Sequence, residues 1–296
     1  MDDDNSEFFK HGKRVGNPTS FELVKFFITN AFPDLCRKLH VTTTPKESAD
    51  FFLNNFIQTF EHREKNDVKR NDFVSLLLGL RNFYTPTELA GESFLVFSGG
   101  SETSSILITF TCYELALNSD IQQRLRDEIN AGLEENNGKM TNEMLHGFKY
   151  LDMVVNESLR KYPPIPGSLR KCTKDYEIPG TSLMVSKGTT IQLMSFSLHR
   201  DPEYYPDPEK FDPERFNDEN SKARNPFTFL PFGEGPRNCI GMRFGLMQSK
   251  IAIAKLVTTF EILPTEKTVN PMKFVASSPF LDPVGGMWLN LKKIEN

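Results

Sequence analysis

The residues best suited to chemistry are gathered in Pro231-Phe232-Gly233-Glu234-Gly235-Pro236-Arg237-Asn238-Cys239-Ile240-Gly241. Gly233, Gly235 and Gly241 lack Cβ atoms, so the backbone can take unusual φ values and approach a flat ligand or another segment. The pattern predicts Cys239 in the first turn of a long helix, where free N–H groups and the helix dipole favour a thiolate. Arg237 offers a fixed cation suited to a carboxylate partner. Thiolate, cation and close backbone together suit a haem iron with a propionate alongside. A dinucleotide fingerprint would need a third glycine at the position of Asn238 and a clean strand before it. A buried structural cysteine at a helix start is the reading the loop alone leaves open.

Two further groupings stand out. Glu157 and Arg160 are three apart on one predicted helix, so their side chains can meet. Taken bare, such a pair is usually a surface salt bridge worth little. Glu102-Thr103 lies in mid-helix just after Gly99-Gly100, and there a Thr hydroxyl often bonds back to the carbonyl one turn earlier. None of the five histidines has ligand spacing with another. Asn156-Glu157-Ser158 fits a glycosylation sequon but overlaps the Glu157 pair and is set aside.

These residues must be positioned by an ordered set of elements. Residues 1–18 read as loop or disorder. Thr19-Ser20-Phe21-Glu22 forms a capping box for a Phe-rich helix ending before Pro33, suited to packing over a site or lying on a membrane surface. Thr44-Pro45-Lys46-Glu47 caps the next helix, with proline at its first position. Glu61 to Asp72 reads as a solvated turn, and Phe73 to Leu80 as a short helix. Thr85-Pro86-Thr87-Glu88 caps the longest helix, to about Asn118, loosened at Gly99-Gly100. Ser119 caps a charged helix, and another runs from Lys149 to Lys161, ending at Pro163. Short strands follow at Ser168–Cys172, Tyr176–Ile178, Leu183–Val185 and Thr189–Met194, then a proline-rich meander over residues 200–216. The helix after Cys239 carries Phe244, Met247, Ile251 and Leu256 on one face, and the tail reads as a hairpin turning at Gly285-Gly286.

A net charge of −4 argues against a general nucleic-acid binder. Twenty-six Phe against one Trp suggest an aromatic-rich interior, and four cysteines without regular spacing make neither a disulfide framework nor a zinc pattern. A reducing compartment is the simpler reading. No run of about 18 apolar residues appears, and the acidic start does not read as a signal peptide.

Phe232-x-x-Gly235-x-Arg237-x-Cys239-x-Gly241 resembles the haem-binding signature of the cytochrome P450 family. Three more of its motifs lie upstream in order: Gly99-Gly100-Ser101-Glu102-Thr103-Ser104, Glu157-x-x-Arg160 and Pro213-Glu214-Arg215-Phe216. The texture is most similar to the microsomal, insect-type xenobiotic-metabolising branch. The resemblance spans essentially the whole chain but only the C-terminal portion of the family fold. It implies a mainly α fold with small β-sheet elements, a single N-terminally truncated haem-thiolate monooxygenase domain over residues 1–296.

Further expectations come with that resemblance. Cys239 is the axial thiolate ligand of the haem iron, with Phe232, Gly233, Arg237, Gly241 and Arg170 around the cofactor. Thr103 and Glu102 supply protons for dioxygen chemistry; the family commonly has alanine where Gly99 stands. Glu157, Arg160 and Arg215 form a structural network, and His199, at the head of the meander, is a local hydrogen-bonding residue. Pro163 to Leu169 and Ser277 to Gly286 match substrate-contacting stretches and favour a greasy substrate. The expected partners are dioxygen, a lipophilic small molecule and an NADPH-dependent diflavin reductase docking near Arg243 and Lys250, with peripheral membrane contact and no nucleic acid. The implied place is the cytoplasmic face of the endoplasmic reticulum membrane. The alternative is a catalytically inactive haem- or partner-binding remnant, or an incomplete gene model.

Overall fold

The structure, a computed structural model, describes residues 6–16, 18–276 and 278–295. The chain divides into two compact units, residues 1–102 with 276–278, and residues 103–275 with 279–296.

In the first unit the helices are α1 (Glu7–Gly16), α2 (Ser20–Ala31), α3 (Pro33–Lys38), α4 (Lys46–Lys65) and α5 (Phe73–Leu78), followed by the first half of α6 (Pro86–Leu117). Helix α1 corrects the expectation of a loop. Its Phe8 packs edge-on against Phe52 of α4 and Phe97 of α6, with ring centroids 5.1 and 5.3 Å apart. Residues 1–5 and Asn17 lie outside the described residues. The Thr19 capping box forms as expected: Glu22 N–H donates to Thr19 Oγ1, and Thr19 N–H donates to the Glu22 carboxylate at 2.7 Å. Helix α2 buries none of its residues.

Thr44 does not cap α4: Pro45 is its N-cap and no side chain bonds to that end. The expected solvated turn from Glu61 is also corrected. Helix α4 continues to Lys65, and Arg63 is buried, donating to both Asp72 carboxylate oxygens at 2.6 and 2.7 Å. A bidentate fork satisfies the guanidinium and fixes the turn. Thr85 and Glu88 form the second capping box, at the head of α6, and α6 stays helical through Gly99-Gly100.

The second unit holds the rest of α6, then α7 (Ser119–Glu135), α8 (Asn142–Gly147) and α9 (Lys149–Lys161). Asn118, not Ser119, is the N-cap of α7; its side chain turns back to Glu114 O. Strands β1 (Ser168–Lys171) and β4 (Thr190–Leu193) pair antiparallel, as do β2 (Tyr176–Glu177) and β3 (Met184–Val185). After α10 (Ser195–Leu198), the meander and α11 (Asp218–Ala223) comes α12 (Met242–Thr259), then β5 (Phe260–Pro264), which pairs with β6 (Leu289–Lys293).

The main core joins Leu107 and Leu115 of α6, Leu125 and Ile129 of α7, Leu151, Val154 and Val155 of α9, and Ile253 and Val257 of α12. Helix α12 turns inward through Ser249, Ile253 and Val257, so the expected face is corrected in part: Phe244 and Ile251 are exposed, while Met247 and Leu256 pack partly buried on the core. In the tail, the backbones of Val275 and Asp282 bond at 2.9 Å, and Gly285-Gly286 makes a separate turn, with Gly286 N–H donating to Pro283 O at 3.2 Å, so the expected hairpin about those glycines is corrected. The tail's last strand, β6, pairs with β5 instead of closing that hairpin. Ser277 lies outside the described residues, and among the described residues no helix is long and apolar enough to cross a membrane.

Candidate functional site

Cys239 is exposed and stands three residues ahead of α12, whose N-cap is Gly241. The expectation that it occupies the first helical turn is therefore corrected. Its N–H is already used, donating to Phe232 O at 2.8 Å across the loop. Two glycines make that loop: Gly233 at φ +71° and Gly235 at φ +76° sit in the left-handed region that β-carbons disfavour. Gly241 leaves room beside the sulfur, where a Cβ would stand 4.0 Å from Cys239 Sγ. Phe232 packs partly buried on the main core and ties the loop to it.

Three of the expected cofactor residues come together. Arg170 on β1 donates to Arg237 O at 3.4 Å, and a Cβ on Gly233 would stand 3.7 Å from the same guanidinium. Arg237 itself is exposed. Apolar side chains are exposed nearby in sequence, with Ile240 fully open to solvent and Phe244 on the first turn of α12.

Glu157, Arg160 and Arg215 also meet. Arg160 donates to both Glu157 oxygens, Nε at 2.7 Å and Nη2 at 2.9 Å, with neither residue exposed. Arg215 Nε lies 3.5 Å from Glu157 Oε1, and Asp212 N–H donates to the same oxygen at 2.8 Å. Burial pushes the Glu157 carboxyl up from its ordinary value, while Arg160 pulls it down. Donors on both oxygens fit the ionised acceptor. Arg160 also donates to His199 O and Pro208 O at 2.9 and 2.8 Å, so the network pins the meander to α9.

Glu102 and Thr103 are consecutive, half-buried residues of α6. The Glu102 carboxylate lies so close to Gly16 that a Cβ there would come within 2.9 Å of it. Ser104, which the sequence reading did not single out, is buried and accepts a hydrogen bond from Gln248 of α12. The α6 turn carrying Thr103 is thereby fastened to the helix that follows Cys239. Lys250 is paired with Asp152 and largely covered, which corrects its reading as a docking cation. A cavity of about 530 Å³ in the first unit is lined mostly by polar and charged residues of α1 and the start of α4, including Lys10, His11 and Arg14; none of the expected cofactor or proton-handling residues lines it.

The cytochrome P450 family model matches residues 1–288, nearly the whole chain. The chain belongs to the cytochrome P450 family. This P450 is 42% identical to the probable cytochrome P450 6a13 of Drosophila melanogaster, over all of this chain and 61% of that protein. Cytochrome P450 6k1 of Blattella germanica is 38% identical over 99% of this chain and 61% of its own length. Cytochrome P450 9e2 of the same species is 40% identical over 98% of this chain and 58% of its own. The chain thus spans about three fifths of the length of the curated relatives it matches. Membership implies a haem cofactor, and the mainly helical fold with small antiparallel sheets agrees with the family.

The residues present fit that group. Among the described residues no three His, Cys, Asp or Glu side chains come together as a metal cage. Cys239 offers an open sulfur with bare backbone beside it and exposed apolar neighbours for a flat ring.

Proposed function

We propose that the protein is a haem-thiolate monooxygenase that places one atom of dioxygen in a lipophilic small molecule and releases the other as water. Two electrons and two protons balance that step, the electrons coming from NADPH through a diflavin reductase. The exposed Cys239 sulfur, on a glycine-shaped loop beside Arg170 and Arg237, carries the reading. When bound, haem supplies dioxygen activation, which a thiolate ligand favours by donating electron density.

The chain's own residues have separable tasks. Cys239 Sγ would bind the iron, while Phe232, Gly233 and Gly241 shape its surroundings. The Arg170 and Arg237 guanidiniums suit propionate carboxylates. Thr103 Oγ1 would hold a proton for the reaction, replenished through the Glu102 carboxylate. Glu157, Arg160 and Arg215 keep the loop's scaffold in place. Arg243, exposed on the second residue of α12, offers a cation for the reductase. The working place would be the cytoplasmic face of the endoplasmic reticulum membrane.

A reduced, carbon-monoxide difference spectrum of the haem-supplied chain tests this. A strongly red-shifted, thiolate-type Soret band that disappears in Cys239→Ser supports the assignment. A histidine-like band, or no band, overturns it.

A further inference from the structure

His199 makes contacts at both ring nitrogens, each to backbone far away in sequence. Leu230 N–H, 31 residues on, donates to Nε2 at 2.8 Å. Nδ1 lies 3.2 Å from Arg160 O, 39 residues back. An amide can only donate, so Nε2 is bare, and the network assigns the ring proton to Nδ1, which donates to Arg160 O. The ring is wholly buried, at 6.4 Å from Tyr205 and 5.4 Å from Phe229 between ring centroids.

The bonding continues beyond Leu230. Gly233 N–H donates to Leu230 O at 3.2 Å, and Cys239 N–H donates to Phe232 O at 2.8 Å. A run of hydrogen bonds and short backbone steps therefore leads from the last turn of α9 through one imidazole to the peptide of Cys239. Two other side chains hold the same stretch: Tyr205 Oη donates to Thr228 O at 3.0 Å, and Arg170 donates to Arg237 O at 3.4 Å. Of the three, only His199 uses a donor and an acceptor together, and it reaches the helix that carries the Glu157–Arg160 pair.

We infer that His199 is a positioning residue: as a neutral bridge between Arg160 O and Leu230 N–H, it sets where the Cys239 loop sits relative to α9. The inference rests on the reading of Cys239 as the iron ligand for its consequence, but not for its geometry. Burial, with the Arg160 and Arg200 cations adding to it, pushes the imidazole down to about 4, which agrees with a neutral ring at physiological pH. Without the bridge, a part-buried N–H and a buried carbonyl lose their partners together.

Hydrogen exchange on the full chain, read by mass spectrometry, tests this with no haem present. His199→Phe keeps a ring against Tyr205 and Phe229 but neither nitrogen; His199→Gln keeps one donor and one acceptor. The expected result is exchange at Leu230, Gly233 and Cys239 faster by about tenfold or more in His199→Phe, near the wild-type rate in His199→Gln, and unchanged in β5 and β6. Unchanged exchange in His199→Phe, or a rise spread equally over β5 and β6, overturns the inference. Should His199→Phe yield no folded protein, the wild-type chain still decides. Under mild denaturant the Leu230, Gly233 and Cys239 amides should open with one common free energy, and separate openings overturn the bridge. In haem-loaded protein the thiolate-type band should be lost in His199→Phe and kept in His199→Gln. If Cys239→Ser leaves the band unaltered, the ligand assignment fails, and the exchange result still judges His199.

Discussion

Arg160 and Glu157 face each other with two short hydrogen bonds and no solvent exposure at either side chain. Removing one partner of such a pair leaves a buried charge uncompensated, which costs about 3–5 kcal/mol. Arg160→Ala should therefore lower the denaturant midpoint by that order and prevent stable haem uptake. Urea unfolding followed by circular dichroism, with an absorbance reading of haem content, checks both. A normally loaded, normally stable variant would remove the network from the scaffold.

The depressed pKa of His199, about 4 against an ordinary 6.5, makes a pH prediction. Above 6.5 both folded and unfolded chains carry a neutral ring, and the stabilisation is complete. Between 6.5 and 4 the unfolded chain takes up the proton first, so stability falls with pH, by up to about 3 kcal/mol. The charged and titratable groups that face the ring are Arg160, Arg200 and Tyr205. The slope should be steeper in wild type than in His199→Gln when unfolding is measured from pH 7 to pH 4, because carboxylates such as Glu22, held low by Arg14, contribute equally to both.

Thiol labelling should divide the four cysteines. Cys239 is exposed and Cys172 half-buried, whereas Cys36 and Cys112 are buried and burial pushes the Cys112 thiol up to about 12. Iodoacetamide at neutral pH should label Cys239 first and leave Cys36 and Cys112 unmodified until denaturant is added. Peptide mass spectrometry reads the order. Early labelling of Cys112 would contradict the packing of α6.

Gly132 sits inside α7, where propensity alone favours alanine by about 1 kcal/mol. A Cβ there would stand 2.5 Å from Phe148 Cε1, and Phe148 is buried in the main core. Overpacking a held ring costs about 1–3 kcal/mol, so steric crowding should win. Gly132→Ala is expected to lower stability by about 1 kcal/mol in chemical unfolding, and a gain would show that Phe148 can give way.

Thr103→Ala tests proton supply apart from the scaffold. If Thr103 Oγ1 holds a proton for the reaction, the variant should keep its haem spectrum and substrate binding but form less product per NADPH consumed. Product and NADPH measured in the same reaction give the ratio. Full coupling in Thr103→Ala would remove that role.

Local signals carried much of this fold. Helix α9 runs from Lys149 to Lys161 as its flanks predict, and two of the three expected Thr-x-x-Glu caps, at Thr19 and Thr85, form capping boxes, whereas at Thr44 the N-cap position falls to Pro45. Glu157 and Arg160 were legible because they are three residues apart, whereas Arg215 entered through family resemblance. Cys239 was misplaced because its N–H bonds back to Phe232, a loop closure that helix-start residues do not advertise. On α12, apolar identity pointed to Phe244 and Ile251, but the buried stripe includes Ser249, which periodicity weighted by hydrophobicity discounts. The bridging role of His199 could not be read locally, since both partners are backbone atoms more than thirty residues away.

Ile240, next to Cys239, keeps its whole side chain in water. Covering a side chain of that size is worth roughly 1.5–3 kcal/mol, a free energy that folding alone leaves unrealised. Any group that seats over the loop and binds only the folded chain gains it, and adds RT ln(1 + [L]/Kd) to the apparent stability. Occupancy and unfolding are then one coupled equilibrium. The melting temperature of this chain should climb with the logarithm of cofactor concentration, and purified batches differing in haem content should melt as different proteins.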